Sequence, residues 1–111
     1  MGRLFSVVLA VMPVLAQAGV ICTAEEQCRG DARSMCAPSS LRIELVRQGG
    51  YTRLWIDRQG PYPAEPMAGA AQHWRVAAFG GQHQLQLHAG GRFTYLGNRN
   101  KTFTGTCEGQ V

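Results

Sequence analysis

Pairs of adjacent glycines divide this 111-residue chain into short segments in which apolar and polar residues alternate. The pairs are Gly49-Gly50, Gly80-Gly81 and Gly90-Gly91. Alternation with a period of two predicts strands that are buried on one face, and glycine pairs between such strands predict tight hairpins. No stretch after residue 18 keeps a 3.6-residue apolar period for three turns, so we do not expect helices to form the core.

We therefore predict an all-β domain of about seven antiparallel strands, arranged as a small meander barrel or a strongly curled sheet, with an open β-sandwich as the alternative. The strands are expected near residues 19–23, 40–47, 51–58, 73–79, 82–88, 92–96 and 101–108. Segment 24–39 is expected to be a disulfide-closed loop with room for one helical turn. Segment 59–72 is the longest connection, and its three prolines argue against a central strand.

A two-residue turn at Gly49-Gly50 would fix the register of the first hairpin, because antiparallel pairing then decides which residues face each other. The inward pairs are aliphatic, and the outward pairs include opposite charges, as a half-buried sheet requires. The predicted pairs are Leu45 with Leu54, Ile43 with Ile56, Glu44 with Trp55, and Arg42 with Asp57.

The same reasoning applies to the two hairpins that follow. A two-residue turn at Gly80-Gly81 pairs Ala78 with His83, Val76 with Leu85, Trp74 with Leu87, and His73 with His88. A three-residue loop at 89–91, with Gly91 left-handed, sets Leu87 opposite Phe93 and Leu85 opposite Tyr95. In the last strand, Phe103, Gly105 and Cys107 share one face.

Four cysteines in a small domain favour two disulfides. Four cysteines allow three pairings, and their spacing alone does not choose among them. We favour Cys28 with Cys36, which closes a short polar loop, and Cys22 with Cys107, which joins the first strand to the last. A zinc or redox site is the alternative, although the chain has no Cys-x-x-Cys motif.

Residues 1–18 are typical of a cleavable signal peptide. Arg3 precedes an apolar run, and Ala16-Gln17-Ala18 has the small-x-small pattern of a cleavage site. The run, Leu4 to Ala16, would span ~20 Å as a helix, short of a ~30 Å hydrocarbon core. We therefore expect a single domain over 19–111 that is periplasmic or secreted and is not inserted in a membrane after cleavage.

The charge balance is modestly basic, with 11 Lys and Arg against 7 Asp and Glu. After export, such a balance points to an anionic partner such as a cell-wall polymer, a lipid headgroup or an acidic protein. No dense basic stripe occurs, so we do not expect nucleic acid as a partner.

Motifs for catalysis are absent from the sequence, which has no Gly-x-Ser-x-Gly elbow, no His-Glu-x-x-His helix and no phosphate-binding glycine loop. We therefore predict no catalytic residues, no cofactor and no enzyme activity. His73 and His88 face each other in the predicted register and are weak candidates for a copper or zinc site. Two solvated surface imidazoles are the alternative interpretation.

The outward face of the first hairpin is the candidate binding surface. It carries Arg42, Arg53 and Trp55, and a tryptophan beside arginine suits recognition of protein, sugar or lipid. In the alternative interpretation, the 59–72 loop covers Trp55 through Tyr62 and Met67. The candidate binding residues are therefore Arg42, Arg53, Trp55, Tyr62 and Met67.

The two ends of the domain resemble known proteins. The segments ICTAEEQC and FTGTCE are arranged as in small exported alphaproteobacterial proteins, which implies an exported β-domain and no activity. The chain is also distantly similar to the periplasmic C-type lysozyme inhibitor family, small barrels with a terminal disulfide. That family's serine-containing inhibitory loop and Tyr-Trp-Lys-Gly stretch have no counterpart in this chain.

Together these features predict a non-catalytic exported module that binds a protein or a cell-envelope component, or that has a structural role. The first alternative is an inhibitor of an exogenous hydrolase such as lysozyme or a protease. The second alternative is a weak metal-binding protein.

Overall fold

The computed structural model describes residues 18–30, 32–69 and 72–110. The predicted signal peptide lies outside these ranges except for its last residue. The described residues form strands and two short 3-10 helices, the latter at Arg33–Met35 and Asn98–Asn100. The strands are β1 (Ala18–Arg29), β2 (Cys36–Pro38), β3 (Arg42–Gln48), β4 (Tyr51–Ile56), β5 (Gln59–Pro66), β6 (His73–Ala78), β7 (Gly81–His88), β8 (Arg92–Leu96) and β9 (Lys101–Gln110).

Eight of the strands close into an antiparallel barrel. Each strand from β3 to β8 pairs with the next along the chain, and β1 closes the circle by pairing with both β3 and β9. The ninth strand, β2, adds to the far half of β1 outside the circle. The predicted all-β barrel is confirmed, and closure gives each barrel strand a paired neighbour on both sides over at least part of its length. Within the described ranges, no helix is long and apolar enough to cross a membrane.

Strand β1 is longer than predicted and continues through most of the segment expected to be a loop. Its first half pairs with β3 and β9, its register with β9 shifts between Ala24 and Glu26, and its second half pairs with β2 and β9. The predicted loop 24–39 is therefore wrong in its first part, because the disulfide joins opposed residues of a strand pair, Cys28 and Cys36. The expected helical turn is the 3-10 helix at Arg33–Met35.

The hairpin of β3 and β4 has the predicted register. Ile43 faces Ile56 and Leu45 faces Leu54, and all four side chains are buried. The outward charge pair differs in detail from the expectation. The Asp57 carboxylate accepts a hydrogen bond from the backbone N–H of Arg42 at 3.1 Å, and the ion pairs among the described residues lie elsewhere.

The predicted register of β6 and β7 is wrong by two residues. The turn residues are Phe79 and Gly80, with φ of 50° and 74°, and Gly81 is the first residue of β7. His73 consequently faces Gln86 instead of His88. Because a two-residue shift leaves each side chain on its face, the predicted inward side chains still point into the barrel. These are Trp74, Val76, Leu85 and Leu87.

The hairpin of β7 and β8 is as predicted, with Leu87 opposite Phe93, Leu85 opposite Tyr95, and Gly91 left-handed at φ 74°. The last strand also keeps its predicted face, since Phe103 and Cys107 pack against the core. Both predicted disulfides are confirmed, Cys22 with Cys107 and Cys28 with Cys36.

Strand β5 corrects the prediction that 59–72 is a connection without a strand. Its first half pairs with β4 through Gln59, Tyr62 and Pro63, and its second half pairs with β6 through residues 64–66. Each half is thus paired on one side, so the missing N–H groups of the prolines cost few ladder hydrogen bonds. Prolines exclude a strand that is fully paired on both sides, and β5 is not such a strand.

Candidate functional site

The predicted binding residues of the first hairpin lie together on the outer wall of the barrel. Arg42 on β3 and Arg53 on β4 are exposed, and Trp55 is half-buried between them and β5. A side-chain methyl at Gly60 would lie 3.2 Å from the Trp55 indole, so the backbone of β5 packs directly on this ring. Trp55 therefore offers only part of its ring to a partner.

Tyr62 does not join that surface. Tyr62 faces Leu54, packs against the barrel core and lies 5.5 Å, between ring centroids, from Phe79. Met67 lies in the connection after β5, where its backbone N–H bonds to the His73 carbonyl at 2.9 Å. The prediction that Tyr62 covers Trp55 is wrong, because β5 is a strand that turns Tyr62 inward. Cover by Met67 stays a prediction.

A groove of about 720 Å³ lies beside this surface, where β4 and β5 separate. Ladder pairing between these strands ends at Arg53 and Pro63. Tyr51 lies at its end and is 73% exposed. The groove combines an aromatic ring, a guanidinium and proline rings, but none of its lining side chains is a buried polar group.

A second candidate site lies at one end of the barrel, which we call the mouth. The turns at 57–58 and 79–80 and the loop at 97–100 meet there. They surround a cavity of about 480 Å³. This volume is within the range of small-molecule sites, which often occur in the mouths of β-barrels.

The lining of the mouth cavity combines polar side chains with apolar and aromatic walls. These walls are formed by Leu41, Ile56, Phe79, Tyr95 and Phe103. Tyr95 and Ile56 are buried at the floor, whereas Phe79 is 50% exposed at the rim. An apolar or aromatic ligand would be removed from water by these walls, which is the main source of affinity in such sites.

One buried polar side chain, His83, lies at the floor of the mouth and is 3% exposed. Its ring stands edge-on to Tyr95, with a 5.4 Å distance between centroids. Both of its nitrogens are within hydrogen-bond distance of a partner: Nδ1 contacts the Tyr95 hydroxyl, and Nε2 lies 3.0 Å from Asn98 Oδ1. A buried imidazole with two partners carries no uncompensated desolvation cost.

The direction of each hydrogen bond follows from the Phe79 carbonyl, which can only accept. Asn98 Nδ2 donates to that carbonyl at 3.2 Å, so its Oδ1 accepts from His83 Nε2–H. His83 Nδ1 then accepts from the Tyr95 hydroxyl. The chain of donors thus runs from Tyr95 through His83 and Asn98 to the backbone, and it fixes the Nε2–H tautomer of the histidine.

The protonation of Tyr95 agrees with that direction. Burial raises the pKa of Tyr95, and the neighbouring Tyr62 raises it further. The phenol therefore keeps its proton at neutral pH and donates to His83. Because the Tyr95 hydroxyl uses its proton to donate to His83, the lone pairs of its oxygen remain available as acceptors beside the cavity.

Positive charge surrounds the opening of the mouth. Arg99 and Lys101 line the cavity, and Asp57 is the one acidic side chain among its lining residues in the described part of the chain. That carboxylate already accepts the Arg42 backbone N–H. The lining of the mouth is therefore biased toward a negatively charged group.

Sequence reasoning missed this mouth, although one signal for His83 was present. In β7, His83, Leu85 and Leu87 alternate with glutamines, so the histidine has the parity of the inward leucines. Asn98 gave no such signal, because it lies in a loop whose position depends on the folded barrel.

The two histidine candidates are not directly opposite each other in the register, and each makes its own hydrogen bond. His73 bonds to Gln84 at 3.0 Å, and His88 bonds to Thr94 at 2.8 Å. In the described part of the chain, the group of side chains with metal-ligand spacing is Glu26, Cys28 and Cys36, and its two sulfurs are joined in a disulfide. Neither set offers the ligands that a zinc or copper site requires.

Comparisons of the chain with protein-family models, with curated proteins and with solved structures found no match. The candidate site is therefore interpreted from its own geometry.

Proposed function

We propose that this protein is an exported, non-catalytic binding module that takes a small envelope component with an apolar body into the mouth of its barrel. The observation that carries the proposal is the cavity of about 480 Å³, with its aromatic walls and the fully hydrogen-bonded His83 at its floor. Such a combination of apolar walls and a few placed polar groups is typical of ligand sites.

Two further observations support parts of this proposal. The two disulfides favour an oxidising compartment outside the cytoplasm. Both nitrogens of His83 are occupied within the protein, so the imidazole has no free nitrogen with which to act as a general base on a ligand. A binding role needs no such group.

The proposal is tested with the uncharged fluorescent probe N-phenyl-1-naphthylamine and a variant that fills the mouth. Gly97 lines the cavity with an ordinary φ of −107°, and a methyl group there would meet Phe103 at 3.6 Å without a clash. We expect Gly97→Leu to occupy the cavity without backbone strain. The wild-type protein should bind the probe saturably, and Gly97→Leu should weaken binding about tenfold or more.

Gly50→Leu is the matched control, because Gly50 lies at the opposite end of the barrel with nothing within 4 Å of an added methyl group. It should bind the probe as the wild type does. Equal binding by the wild type and Gly97→Leu, or no binding by the wild type, would refute the proposal.

The outer wall supports a second candidate, recognition of a protein. The exposed Tyr51 and Arg53 beside a groove of about 720 Å³ favour it, since Tyr and Arg are enriched at protein interfaces. Capture of a single envelope protein by the wild type, lost with Arg53→Ala and Tyr51→Ala but kept with Arg33→Ala, which lies outside the groove, would support this candidate. Inhibition of a hydrolase stays a prediction and is tested by stoichiometric suppression of lysozyme or protease activity.

A further inference from the structure

We infer that the ligand of the mouth is an amphipathic anion, and that Lys101 holds its charged head group. This inference rests on the proposed binding role of the mouth and specifies its ligand class. The head group would be a carboxylate, sulfonate or phosphate on an apolar or aromatic body.

The position of Lys101 is the first argument. Lys101 is half-buried at the first position of β9, two residues before the inward Phe103, and it lines the mouth cavity. It also lines a neighbouring hollow formed by the Cys28–Cys36 segment. A charge that is partly removed from water at the edge of an apolar cavity interacts more strongly with an opposite charge than an exposed lysine does.

The strand register gives the second argument. Lys101 lies directly opposite Arg29 in the pairing of β9 with β1. Like charges opposite each other in a sheet repel. The ion pairs found among the described residues join Arg75 with Glu65 and Arg92 with Glu25, away from this position. An anion bound at the rim would relieve the repulsion between Arg29 and Lys101.

The third argument is the arrangement of the polar groups by depth. Arg99 and Lys101 lie toward the loop at the opening, whereas the floor is formed by His83 and Tyr95, which are bonded to each other. A charged head group would therefore stay at the opening, where the cations are. The apolar body would lie against Ile56 and Phe103 inside.

The test compares two probes that share one apolar scaffold. 8-Anilinonaphthalene-1-sulfonate carries a sulfonate, and N-phenyl-1-naphthylamine is the same ring system without it. At low salt, we expect the wild type to bind the sulfonate about tenfold more tightly than the uncharged probe. Lys101→Gln should remove most of that advantage and leave affinity for the uncharged probe unchanged.

Arg47→Gln is the matched control, since it removes one positive charge at the opposite end of the barrel. It should leave both affinities as in the wild type. If Lys101→Gln and Arg47→Gln weaken sulfonate binding equally, the effect is one of net charge and the inference is wrong. If both probes bind equally and Gly97→Leu blocks both, the anion inference fails and the proposed function stands. If neither probe binds, both fail.

Competition provides a second measurement that does not depend on aromatic probes. Octanoate and octyl phosphate should displace the bound sulfonate from the wild type, and each should be about tenfold less effective against Lys101→Gln. Octanol has the same chain without the charge and should be a weaker competitor. Equal displacement by octanol and octanoate would overturn the inference.

Discussion

Gly81 lies so close to Asn98 that a methyl group at position 81 would overlap the Asn98 side-chain oxygen. That oxygen is the acceptor for His83 Nε2–H at 3.0 Å. The absence of a side chain at Gly81 is thus a condition for the hydrogen bond that holds the buried histidine. The second glycine of the pair, Gly81, leaves room for the Asn98 side chain at the mouth, and the first, Gly80, adopts the left-handed φ of 74° in the turn.

The first prediction concerns this relationship. We expect Gly81→Ala to displace the Asn98 side chain and to lower the free energy of unfolding by about 1 to 3 kcal/mol, the range for a lost hydrogen bond that leaves a buried group unsatisfied. Asn98→Ala should cost about the same, because it removes the same bond. The double variant should cost little more than either single variant.

Urea unfolding of the four proteins gives the coupling energy of this cycle. Gly50→Ala is the control and should change stability by less than about 0.5 kcal/mol, since nothing lies within 4 Å of the added methyl group. Additive effects of Gly81→Ala and Asn98→Ala would show that the two residues do not act through one bond.

The second prediction is a loss of stability at alkaline pH that depends on Tyr95. Burial raises the pKa of the folded phenol, so above pH of about 10 the unfolded chain loses this proton while the folded chain keeps it. The folded state then binds more protons than the unfolded state, and stability falls as pH rises. The contribution of this one group is at most about 1.4 kcal/mol per pH unit.

Tyr95→Phe removes this contribution. The difference in unfolding free energy between wild type and Tyr95→Phe should therefore shrink as pH rises from about 8 to about 11. Tyr51→Phe, at a position that is 73% exposed, should follow the wild-type profile. A difference between wild type and Tyr95→Phe that is constant over this range would contradict the prediction.

The β3–β4 and β6–β7 hairpins show how far the sequence determines the register of strand pairing. In the β3–β4 hairpin, a two-residue turn at Gly49-Gly50 and the pairing of aliphatic inward residues both predict the same register. That register is observed. In the β6–β7 hairpin, a shift by two residues preserves every inward and outward face, so the alternation cannot distinguish the two registers. The observed register places Gly81 against the Asn98 side chain, a contact between residues 17 positions apart that the alternation of a single hairpin does not reveal.

The candidate site was less predictable than the fold, because its parts meet only in the closed barrel. The parity of His83 in β7 indicates an inward histidine, yet its partner Tyr95 comes from β8 and its partner Asn98 from a loop. Tyr62 was expected outside and lies inside, because the proline-rich segment forms β5. Alternation locates inward residues well, and it does not locate the loops that complete a cavity.

The third prediction compares the two disulfides. The Cys22–Cys107 bond closes a sequence separation of 85 residues, and the Cys28–Cys36 bond closes one of 8. In the chain-entropy model, these loops correspond to about 4.6 and about 2.5 kcal/mol of stabilisation. Replacement of Cys22 and Cys107 by alanine should therefore destabilise the domain by about 2 kcal/mol more than replacement of Cys28 and Cys36.

Urea unfolding of the two double variants measures this difference. The burial of Cys22 adds to the cost of the first variant, since its removal also leaves a cavity in the core. An equal or larger loss of stability in the Cys28→Ala/Cys36→Ala variant would mean that the short loop, and not the closure of β1 on β9, dominates.

The fourth prediction concerns the part of β9 that pairs with β1 next to the register shift between Ala24 and Glu26. Gly105 is buried, faces Ala24 on β1 and Phe93 on β8, and a methyl group there would overlap the backbone carbonyl of Thr23. Because backbone atoms cannot swing aside as a side chain does, β1 would have to move away from β9. Gly105→Ala should therefore lower the free energy of unfolding by about 3 kcal/mol or more.

Gly97→Ala is the matched control, because a methyl group there meets its nearest neighbour, a ring atom of Phe103, at 3.6 Å. It should change stability by less than about 0.5 kcal/mol. Since Gly105 lies two residues from Cys107, Gly105→Ala should also loosen the closure of the barrel. Relative to the wild type, hydrogen exchange of the β1 amides should then become faster by more than that of the β4 amides. A Gly105→Ala variant as stable as Gly97→Ala would show that β1 and β9 do not approach as closely as this contact requires.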